Sequence, residues 1–389
     1  MIKTVRLYTL CILSLSSIFS CTDNISESEI TTIKLTPNKE SHLLLSSIID
    51  SLHILPLETT EQALLSDIRE LEYDEGLYFI QNDQDMLIYI FNRNGKFNCK
   101  PAKKGQGPGE IRFPQNFALN KIDKEIWLTN NNSFYKYNYA GKYLGNKPYS
   151  LAFSDFCIEK NGNIYFYTNK TNNSHIGDGF LTGNITMLSP QGEKKTWFKS
   201  KAALQHEPNK SYMSFFTRIP FSEQEDGKIT CHYAFCDTIY SIHKDCITPS
   251  YVIDFGENKS KIDLDQIPGS DVDEYIHAHP KTVWYAREVL ETSNIVRFSY
   301  NFGFESYADV YYNKSNGHIL EGKPINDLLG GYIKILGKRG NTIIGCIPAI
   351  DIQLSDKLSS FISQEKLSEL KKITPESNPI LIEFTLKDF

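Results

Sequence analysis

The segments Asn92-Arg93-Asn94-Gly95-Lys96-Phe97 and Asn138-Tyr139-Ala140-Gly141-Lys142-Tyr143 are two copies of one pattern, and they decide the fold. A glycine between an Asn-led turn and an aromatic strand is typical of a β-hairpin, because such turns often need a residue at positive φ. Weaker copies occur at Ser189-Pro190-Gln191-Gly192-Glu193 and Asn313-Lys314-Ser315-Asn316-Gly317-His318. The glycines of the first three copies are separated by 46 and 51 residues, which indicates a repeated unit.

Each unit contains short strand-like runs around its hairpin, such as Gly76–Ile80, Met86–Phe91 and Lys96–Cys99 in the first. Repeats of about 40 to 50 residues with four short strands are typical of β-propeller blades. The sequence predicts six blades, which start near these residues: Ser66, Gln115, Ala152, Phe215, Val289 and Tyr332.

The sixth blade lacks an outer strand in sequence, although Pro379–Leu386 supplies one of its strands. Either Ile30–Leu35 or His53–Leu57 is expected to complete it, so that strands from both chain ends close the ring and remove an exposed sheet edge. Two segments, Asp271–Thr292 and Ser355–Lys372, are expected to be helical insertions. The predicted fold is therefore an all-β, six-bladed β-propeller over residues 30–389 with short helical insertions.

The first twenty residues are typical of an export signal. Lys3 and Arg6 precede a mostly apolar run that is too short to span a bilayer comfortably. The run ends in Ile18-Phe19-Ser20-Cys21, which predicts cleavage before Cys21, a lipid on its thiol and a tether over residues 21–29. The alternative is an ordinary secretory signal that is cut nearby. The lipid would hold the protein in the cell envelope, at the outer membrane or the periplasmic face, and not in the cytoplasm.

The charge balance of the chain argues against nucleic acid as a partner. There are 41 Lys and Arg residues against 47 Asp and Glu, for a formal net charge of −6. A phosphate backbone is recognised by a basic excess, and this chain has none.

Three further motifs are shared with a known family: Pro56-Leu57-Glu58-Thr59-Thr60, Lys104-Gly105-Gln106-Gly107-Pro108-Gly109-Glu110 and Asn378-Pro379-Ile380-Leu381. With the lipidation motif, they resemble the six-bladed β-propeller lipoproteins of Bacteroidetes. The resemblance covers nearly the whole mature chain. It implies the fold, the export route and an envelope location, but no established reaction and no catalytic residue.

The glycine-rich motif is a candidate binding loop. Gly105, Gly107, Pro108, Gly109 and Glu110 could present backbone N–H groups to an anion. The same residues could equally form a tight crossover between two blades, with Glu110 bonded to neighbouring backbone.

No cofactor is predicted, and the weak candidates for a divalent metal lie in one region. His277 and His279 would share a face if the segment were extended, but a helix would separate them. An acidic stretch could hold Ca²⁺ but lacks the order of an EF-hand; its residues are Asp263, Asp265, Asp271 and Asp273.

Aromatic residues in the long inter-blade segments are the remaining candidates for ligand binding. They are Tyr212, Phe216, Tyr275, Trp284 and Tyr285. Aromatic side chains at a propeller mouth could bind a ligand, although most aromatics in such a fold pack between blades.

These observations favour an exported envelope lipoprotein that acts as a binding or scaffold module. Its ligand would be a glycan or an envelope protein on the loop face. The alternative is a carbohydrate-active hydrolase or lyase on the same ring, assisted by a metal, and a third possibility is a structural subunit of an envelope complex. A propeller hosts all of these functions, so the fold does not decide whether the protein is an enzyme.

Overall fold

The computed structural model describes residues 30–180, 183–199, 218–243, 245–263, 269–304 and 306–389. Within these ranges the strands form six sheets of four or five strands, arranged as the blades of a β-propeller. The prediction of an all-β, six-bladed propeller is confirmed.

The blades follow the order of the chain, and each is a meander of antiparallel strands. Blade 1 contains Ile68–Asp74, Leu77–Asn82, Ile88–Asn92 and Phe97–Cys99. Blade 2 contains Phe117–Asn120, Glu125–Thr129, Ser133–Asn138 and Tyr143–Pro148. Blade 3 contains Asp155–Ile158, Ile164–Tyr167, Ile185–Leu188 and Lys194–Trp197. Blade 4 contains Phe221–Glu223, Ile229–Cys231, Thr238–His243 and Cys246–Asp254. Blade 5 contains Val283–Glu291, Ile295–Phe302, Ser306–Asn313 and Ile319–Ile325.

Blade 6 is built from both ends of the chain. Lys334–Arg339, Thr342–Ile347 and Ile380–Leu386 form its inner strands, and the N-terminal strand Ile49–Pro56 pairs antiparallel with the last of them. Of the two N-terminal segments considered from the sequence, the later one therefore closes the ring. The earlier one forms Thr31–Lys34, a fifth strand parallel to the outer strand of blade 4.

Between these two strands, the N-terminal segment also covers blade 5. His42–Leu44 pairs parallel with the outer strand of that blade, and the short helix α1, Leu45–Ile48, leads into the closing strand. Residues 31–56 therefore cover the outer edges of three successive blades. We call this segment the N-terminal belt.

The predicted helix Asp271–Thr292 is wrong in its second half. Helix α2 covers only Gly269–Ala278, and Val283–Glu291 is the innermost strand of blade 5, so that blade begins before Val289. Two register shifts against the next strand interrupt the alternation of this strand, which explains why its sequence lacks a strand period. The second insertion contains the 3₁₀ helix Asp356–Ser360 and helix α3, Gln364–Leu370. The other 3₁₀ helices within the described ranges are Ser174–Ile176, Asp178–Phe180, Gly256–Asn258 and Ala349–Asp351.

A buried asparagine fastens the closing strands to blade 1. The Asn378 side-chain amide donates to the carbonyl oxygens of Glu58 and Ala63 at 2.8 and 2.5 Å, and its oxygen accepts from the Leu65 N–H at 2.8 Å. The Asn378 N–H donates to Thr59 Oγ1 at 2.9 Å. Two of the motifs that carry the family resemblance thus contact each other, and their contacts are structural.

Candidate functional site

The innermost strands of the six blades surround a central channel. Blade 1 contributes carboxylates in alternate positions, because Glu70, Glu72 and Asp74 occur at the two-residue period of a strand. Glu70 and Glu72 line the channel together with Lys121 from blade 2 and Asp155 from blade 3. Apolar residues separate these charged groups along the channel.

One end of the channel is closed by ion pairs. Lys121 Nζ lies 2.7 Å from Glu223 Oε2 and 3.9 Å from Glu72 Oε2, and Lys338 Nζ donates to the Glu223 carbonyl oxygen at 2.5 Å. Burial alone would lower the pKa of Lys121, but Glu72 and Glu223 raise it above its ordinary value. The Lys121 ammonium therefore stays charged and bridges blades 1 and 4. The cavity between these walls measures only about 140 Å³.

The other end opens into a cavity of about 490 Å³, which we call the channel mouth. Its lining residues include three cations and three carboxylates. The lining residues are Arg69, Glu70, Asp83, Ser154, Asp155, Tyr167, Arg218 and Lys334. Most belong to the first residues of innermost strands or to the loops beside them, whereas the ion pairs at the closed end lie at strand ends. The innermost strands therefore run in one direction, away from the mouth.

Each cation of the channel mouth has a carboxylate partner outside the pair Glu70 and Asp155. Arg69 lies 3.6 Å from Asp83, Lys334 lies 2.8 Å from Asp67, and Arg218 lies 3.2 Å from Glu288. Among the described residues, no cationic nitrogen comes within 4 Å of a Glu70 or Asp155 carboxylate oxygen, the distance that defines an ion pair. Asp155 Oδ1 accepts a hydrogen bond from the Phe156 N–H at 2.7 Å. These two carboxyl groups are thus left to interact with a ligand.

The surroundings of Glu70 and Asp155 favour their protonated forms. Burial raises the pKa of Glu70 from 4.5 to about 7, against the opposing effect of Arg69. Burial also raises the pKa of Asp155 well above its ordinary value, and the negative charge of Glu70 adds to the shift. A protonated carboxyl group both donates and accepts hydrogen bonds, whereas a carboxylate only accepts them. Near neutral pH the channel mouth therefore offers both functions.

Sequence reasoning missed the channel mouth. Glu70 and Asp155 are 85 residues apart in sequence. Taken singly, each of these carboxyl groups resembles a solvent-exposed residue of a strand. The available signal was the alternation of Glu70, Glu72 and Asp74, which places three acidic side chains on one face of an innermost strand.

The glycine-rich loop is a crossover between blades 1 and 2, flanked by the two-residue strands Lys103–Lys104 and Glu110–Ile111. Its Glu110 Oε2 accepts from the Gly107 N–H at 3.0 Å, so the loop's own carboxylate occupies that donor. A Cβ atom on Gly105 would lie 1.9 Å from the same oxygen. Gly109 has φ +76°, a conformation that side chains rarely adopt, and a Cβ there would lie 3.1 Å from the Tyr143 side chain. These contacts explain both glycines without a ligand, and Pro108 lies between them.

The two histidines proposed as metal ligands lie on and just after helix α2 and contact different rings. His277 lies against Phe304, with ring centroids 4.7 Å apart, and His279 stacks on Tyr275 at 4.2 Å. Among the described residues, no group of three His, Cys, Asp or Glu side chains could hold a metal ion. Of the acidic stretch, Asp265 and the side chain of Asp273 lie outside the described part of the chain.

Of the five aromatic residues predicted to bind a ligand, the structure describes the side chains of Tyr275 and Trp284, and both belong to one hydrophobic cluster. Trp284 is only 7% exposed, and its ring contacts Phe304 edge-on at 4.5 Å, so its face is unavailable for stacking on a ligand. Tyr275 lies on helix α2 and is half-buried against the same cluster. Tyr212, Phe216 and the side chain of Tyr285 lie outside the described residues, as does Cys21. No helix in the described ranges has the length and apolar character needed to cross a membrane.

Comparisons with known proteins agree with the fold. A family model described as a domain of unknown function (DUF4934) matches residues 30–385. No functionally curated protein matches the chain. A Bacteroides fragilis protein to which export has been attributed is similar over 92% of this chain and 100% of its own, at 17% identity and a TM-score of 0.72. A member of the duf4221 family from Bacteroides vulgatus is similar over 87% of this chain and 97% of its own, at 12% identity and a TM-score of 0.49.

Proposed function

The chain belongs to the DUF4934 family, whose domain spans the whole propeller, and on that premise we propose that it is an exported envelope protein that binds a glycan at its channel mouth. The observation that carries this proposal is the cavity of about 490 Å³ in which paired cations surround the protonatable carboxyl groups of Glu70 and Asp155. Its volume lies within the range of about 300–1,000 Å³ that is common for small-ligand pockets.

The chemistry of the mouth suits a ligand rich in hydroxyl groups. Each hydroxyl both donates and accepts, so it matches a mixture of cationic donors and carboxyl groups better than a surface of one sign. Because Lys121 and Glu223 close the far end, a long chain could not thread through the channel. The proposed ligand is therefore the end of a glycan, inserted along the propeller axis.

The envelope location rests on the N-terminal segment. Lys3, Arg6 and the apolar run before Cys21 support export and lipidation of that thiol. In cells fed a labelled fatty acid, the wild-type protein is expected to take up label and Cys21→Ala is not. Equal labelling of both proteins would contradict the lipid anchor. It would also remove membrane lipid as a partner of the protein.

Glycan binding can be tested on the chain from Thr22 onward, which contains all six blades and both closing strands. We expect calorimetric titration against a panel of polysaccharides and their oligosaccharides to give at least one binder. Asp155→Ala and Glu70→Ala are expected to weaken that binder at least tenfold, because each removes a donor and an acceptor from the mouth. Binding is also expected to weaken above about pH 7, where the Glu70 carboxyl group ionises.

Glu75→Ala provides the matched control. Glu75 follows the same innermost strand at its far end, is 52% exposed and pairs with Lys124 at 2.8 Å. It should leave glycan affinity unchanged. Silence across the panel, or equal loss in Glu75→Ala and Glu70→Ala, would refute a glycan site at the mouth. In that case an envelope protein on the loop face becomes the favoured ligand.

A hydrolase or lyase at the same mouth is the second candidate, because a carboxyl group with a pKa near neutrality is suited to general acid–base catalysis. Glu70 and Asp155 would touch the substrate, and a metal would have to be held partly by the ligand. Any glycan that binds should be incubated with the protein, with and without a chelator. New reducing ends or unsaturated products that disappear in Glu70→Gln would establish this activity, and unchanged glycan would exclude it for that ligand.

A further inference from the structure

A second cavity, of about 350 Å³, lies between blades 5 and 6. It is separate from the channel mouth, and the two share no lining residue. Its walls are mostly apolar, and they include four aromatic residues and one acidic residue. The lining residues are Leu43, Leu45, Ile48, Tyr307, Asp309, Tyr311, Pro324, Ile325, Asn326, Gly331, Tyr332, Ile333, Ile335 and Phe384.

The cavity is walled by hydrogen-bonded elements and is therefore preformed. The N-terminal belt closes one side, where the Ser46 N–H and hydroxyl donate to the two oxygens of Asp327 at 2.9 and 2.6 Å. Asn326 holds the loop on another side, because its oxygen accepts from the Leu329 N–H at 3.0 Å and its amide donates to the Gly330 carbonyl oxygen. A ligand would not have to order these walls on binding.

Two tyrosines form the open side of the cavity. The rings of Tyr307 and Tyr332 meet edge to face, with centroids 5.6 Å apart, and Tyr332 remains 46% exposed. Within the described part of the chain, neither hydroxyl has a hydrogen-bond partner. The Tyr332 hydroxyl is protonated at neutral pH, as an ordinary phenol is, and can donate.

The polar end of the cavity is a buried carboxylate. Asp309 is 5% exposed, and its Oδ1 accepts from Arg297 at 2.7 Å. Its Oδ2 has only a 3.5 Å contact with the Tyr311 hydroxyl, which is at the limit of a hydrogen bond. Because Arg297 already balances the Asp309 charge, a cationic ligand would gain little there and would still lose its hydration. A neutral donor fits better.

We propose that this cavity is a second ligand site, which binds a neutral amphiphile with a flat, aromatic body and one hydrogen-bond donor directed at Asp309. The apolar walls take the body, and the edge-to-face tyrosines favour an aromatic ring over an alkyl chain. The phenol hydroxyls of Tyr307 and Tyr332 lie at the same opening and can bond a polar substituent. The site does not depend on a glycan at the channel mouth.

The probe for this site is N-phenyl-1-naphthylamine, a neutral aromatic amine with a single N–H donor whose fluorescence rises in apolar surroundings. With the chain from Thr22 onward, we expect a saturable rise in fluorescence that corresponds to one site per chain. Tyr332→Ala removes an exposed ring at the opening and should weaken binding at least tenfold. Ile325→Trp fills the cavity from a half-buried wall position and should abolish binding.

Phe113→Ala is the matched control, because Phe113 is also an exposed aromatic residue, at 52%, and lies outside the cavity. It should bind the probe as the wild type does. Urea unfolding of each variant confirms that it is folded. Fluorescence that does not saturate would overturn the proposal, as would a Tyr332→Ala variant with wild-type affinity. Equal weakening in Phe113→Ala would also overturn it, since the probe would then be adhering to exposed rings.

Discussion

Replacing the hairpin glycine of each of the first three blades by alanine separates the cost of backbone strain from the cost of crowding the ring closure. Gly95, Gly141 and Gly192 occupy the same position of the repeat and have φ values of +74°, +83° and +90°. Their surroundings differ. A Cβ on Gly95 would lie 2.3 Å from the carbonyl oxygen of Pro56, the last residue of the closing strand. On Gly141 it would lie 3.2 Å from Cys99 Sγ, and on Gly192 it would meet no atom within 4 Å.

The expected losses in stability follow from these distances. Gly192→Ala should lower the free energy of unfolding by about 1 kcal/mol, the cost of an alanine in the left-handed backbone conformation. Gly95→Ala must in addition displace the backbone of the closing segment, which is held to the hairpin because the Glu58 N–H donates to the Gly95 carbonyl oxygen at 2.8 Å. Forced overpacking typically costs about 1–3 kcal/mol, so the total for Gly95→Ala is about 2–4 kcal/mol. Gly141→Ala should fall between the two, since a side-chain sulfur can shift.

Urea unfolding followed by circular dichroism measures all three variants against the wild type. The entropy that alanine removes from the unfolded chain is the same at each position, so it cancels in the comparison. We expect the loss of free energy of unfolding to decrease in the order Gly95→Ala, Gly141→Ala, Gly192→Ala. Equal losses, or the largest loss at Gly192, would refute the claim that the first hairpin supports the ring closure.

Three further variants test other parts of the structure. Asn378→Ala should lower the free energy of unfolding by about 3 kcal/mol, because three backbone groups lose their hydrogen-bond partner at about 1 kcal/mol each. The control is Asn94→Ala, which replaces an exposed asparagine and should change the free energy of unfolding by less than about 0.5 kcal/mol. Glu70 has a folded pKa raised above its unfolded value, so the native state holds the proton more tightly. The wild type should therefore lose up to about 3 kcal/mol of stability relative to Glu70→Gln as the pH rises from 4 to 8. If the urea midpoints of the two proteins vary with pH in parallel, this prediction is wrong. Arg297→Met leaves the buried Asp309 carboxylate without its cation, while Glu288 keeps its ion pair with Arg218. It should cost about 3–5 kcal/mol in the same assay, and a loss below about 1 kcal/mol would contradict this prediction.

The fold was largely predictable because each repeat contains a hairpin turn that its local sequence identifies. The glycines at 95, 141 and 192 all adopt the positive φ that the hairpin pattern requires. The prediction failed where local geometry departs from a regular strand. In Val283–Glu291, the register shifts between Val283 and Ala286 and between Arg287 and Leu290, and Glu288 has φ +52°. These bulges remove the two-residue period on which strand recognition depends.

The candidate site was much less predictable, because it depends on which innermost strands become neighbours. Glu70 and Asp155 meet only after the ring has closed, and their protonation follows from burial that no local pattern records. Conversely, one of the aromatic residues predicted from the sequence to bind a ligand is buried in the structure. Trp284 is on a long inter-blade connection in sequence, yet the structure buries it on the innermost strand of blade 5.

The N-terminal belt explains how the ring protects its edges while leaving the mouth accessible. It covers the outer strands of blades 4 and 5, which are long, and itself forms the outer strand of blade 6. Blades 1 to 3 have no such cover in the described structure, and their outer strands are short or carry exposed Lys and Pro residues, which discourage pairing with another chain. Since the belt begins at Thr31 beside the outer strand of blade 4, a tether over residues 21–29 would join the rim of the propeller. The mouth lies on the propeller axis, so the proposed anchor on Cys21 would leave it open to a ligand.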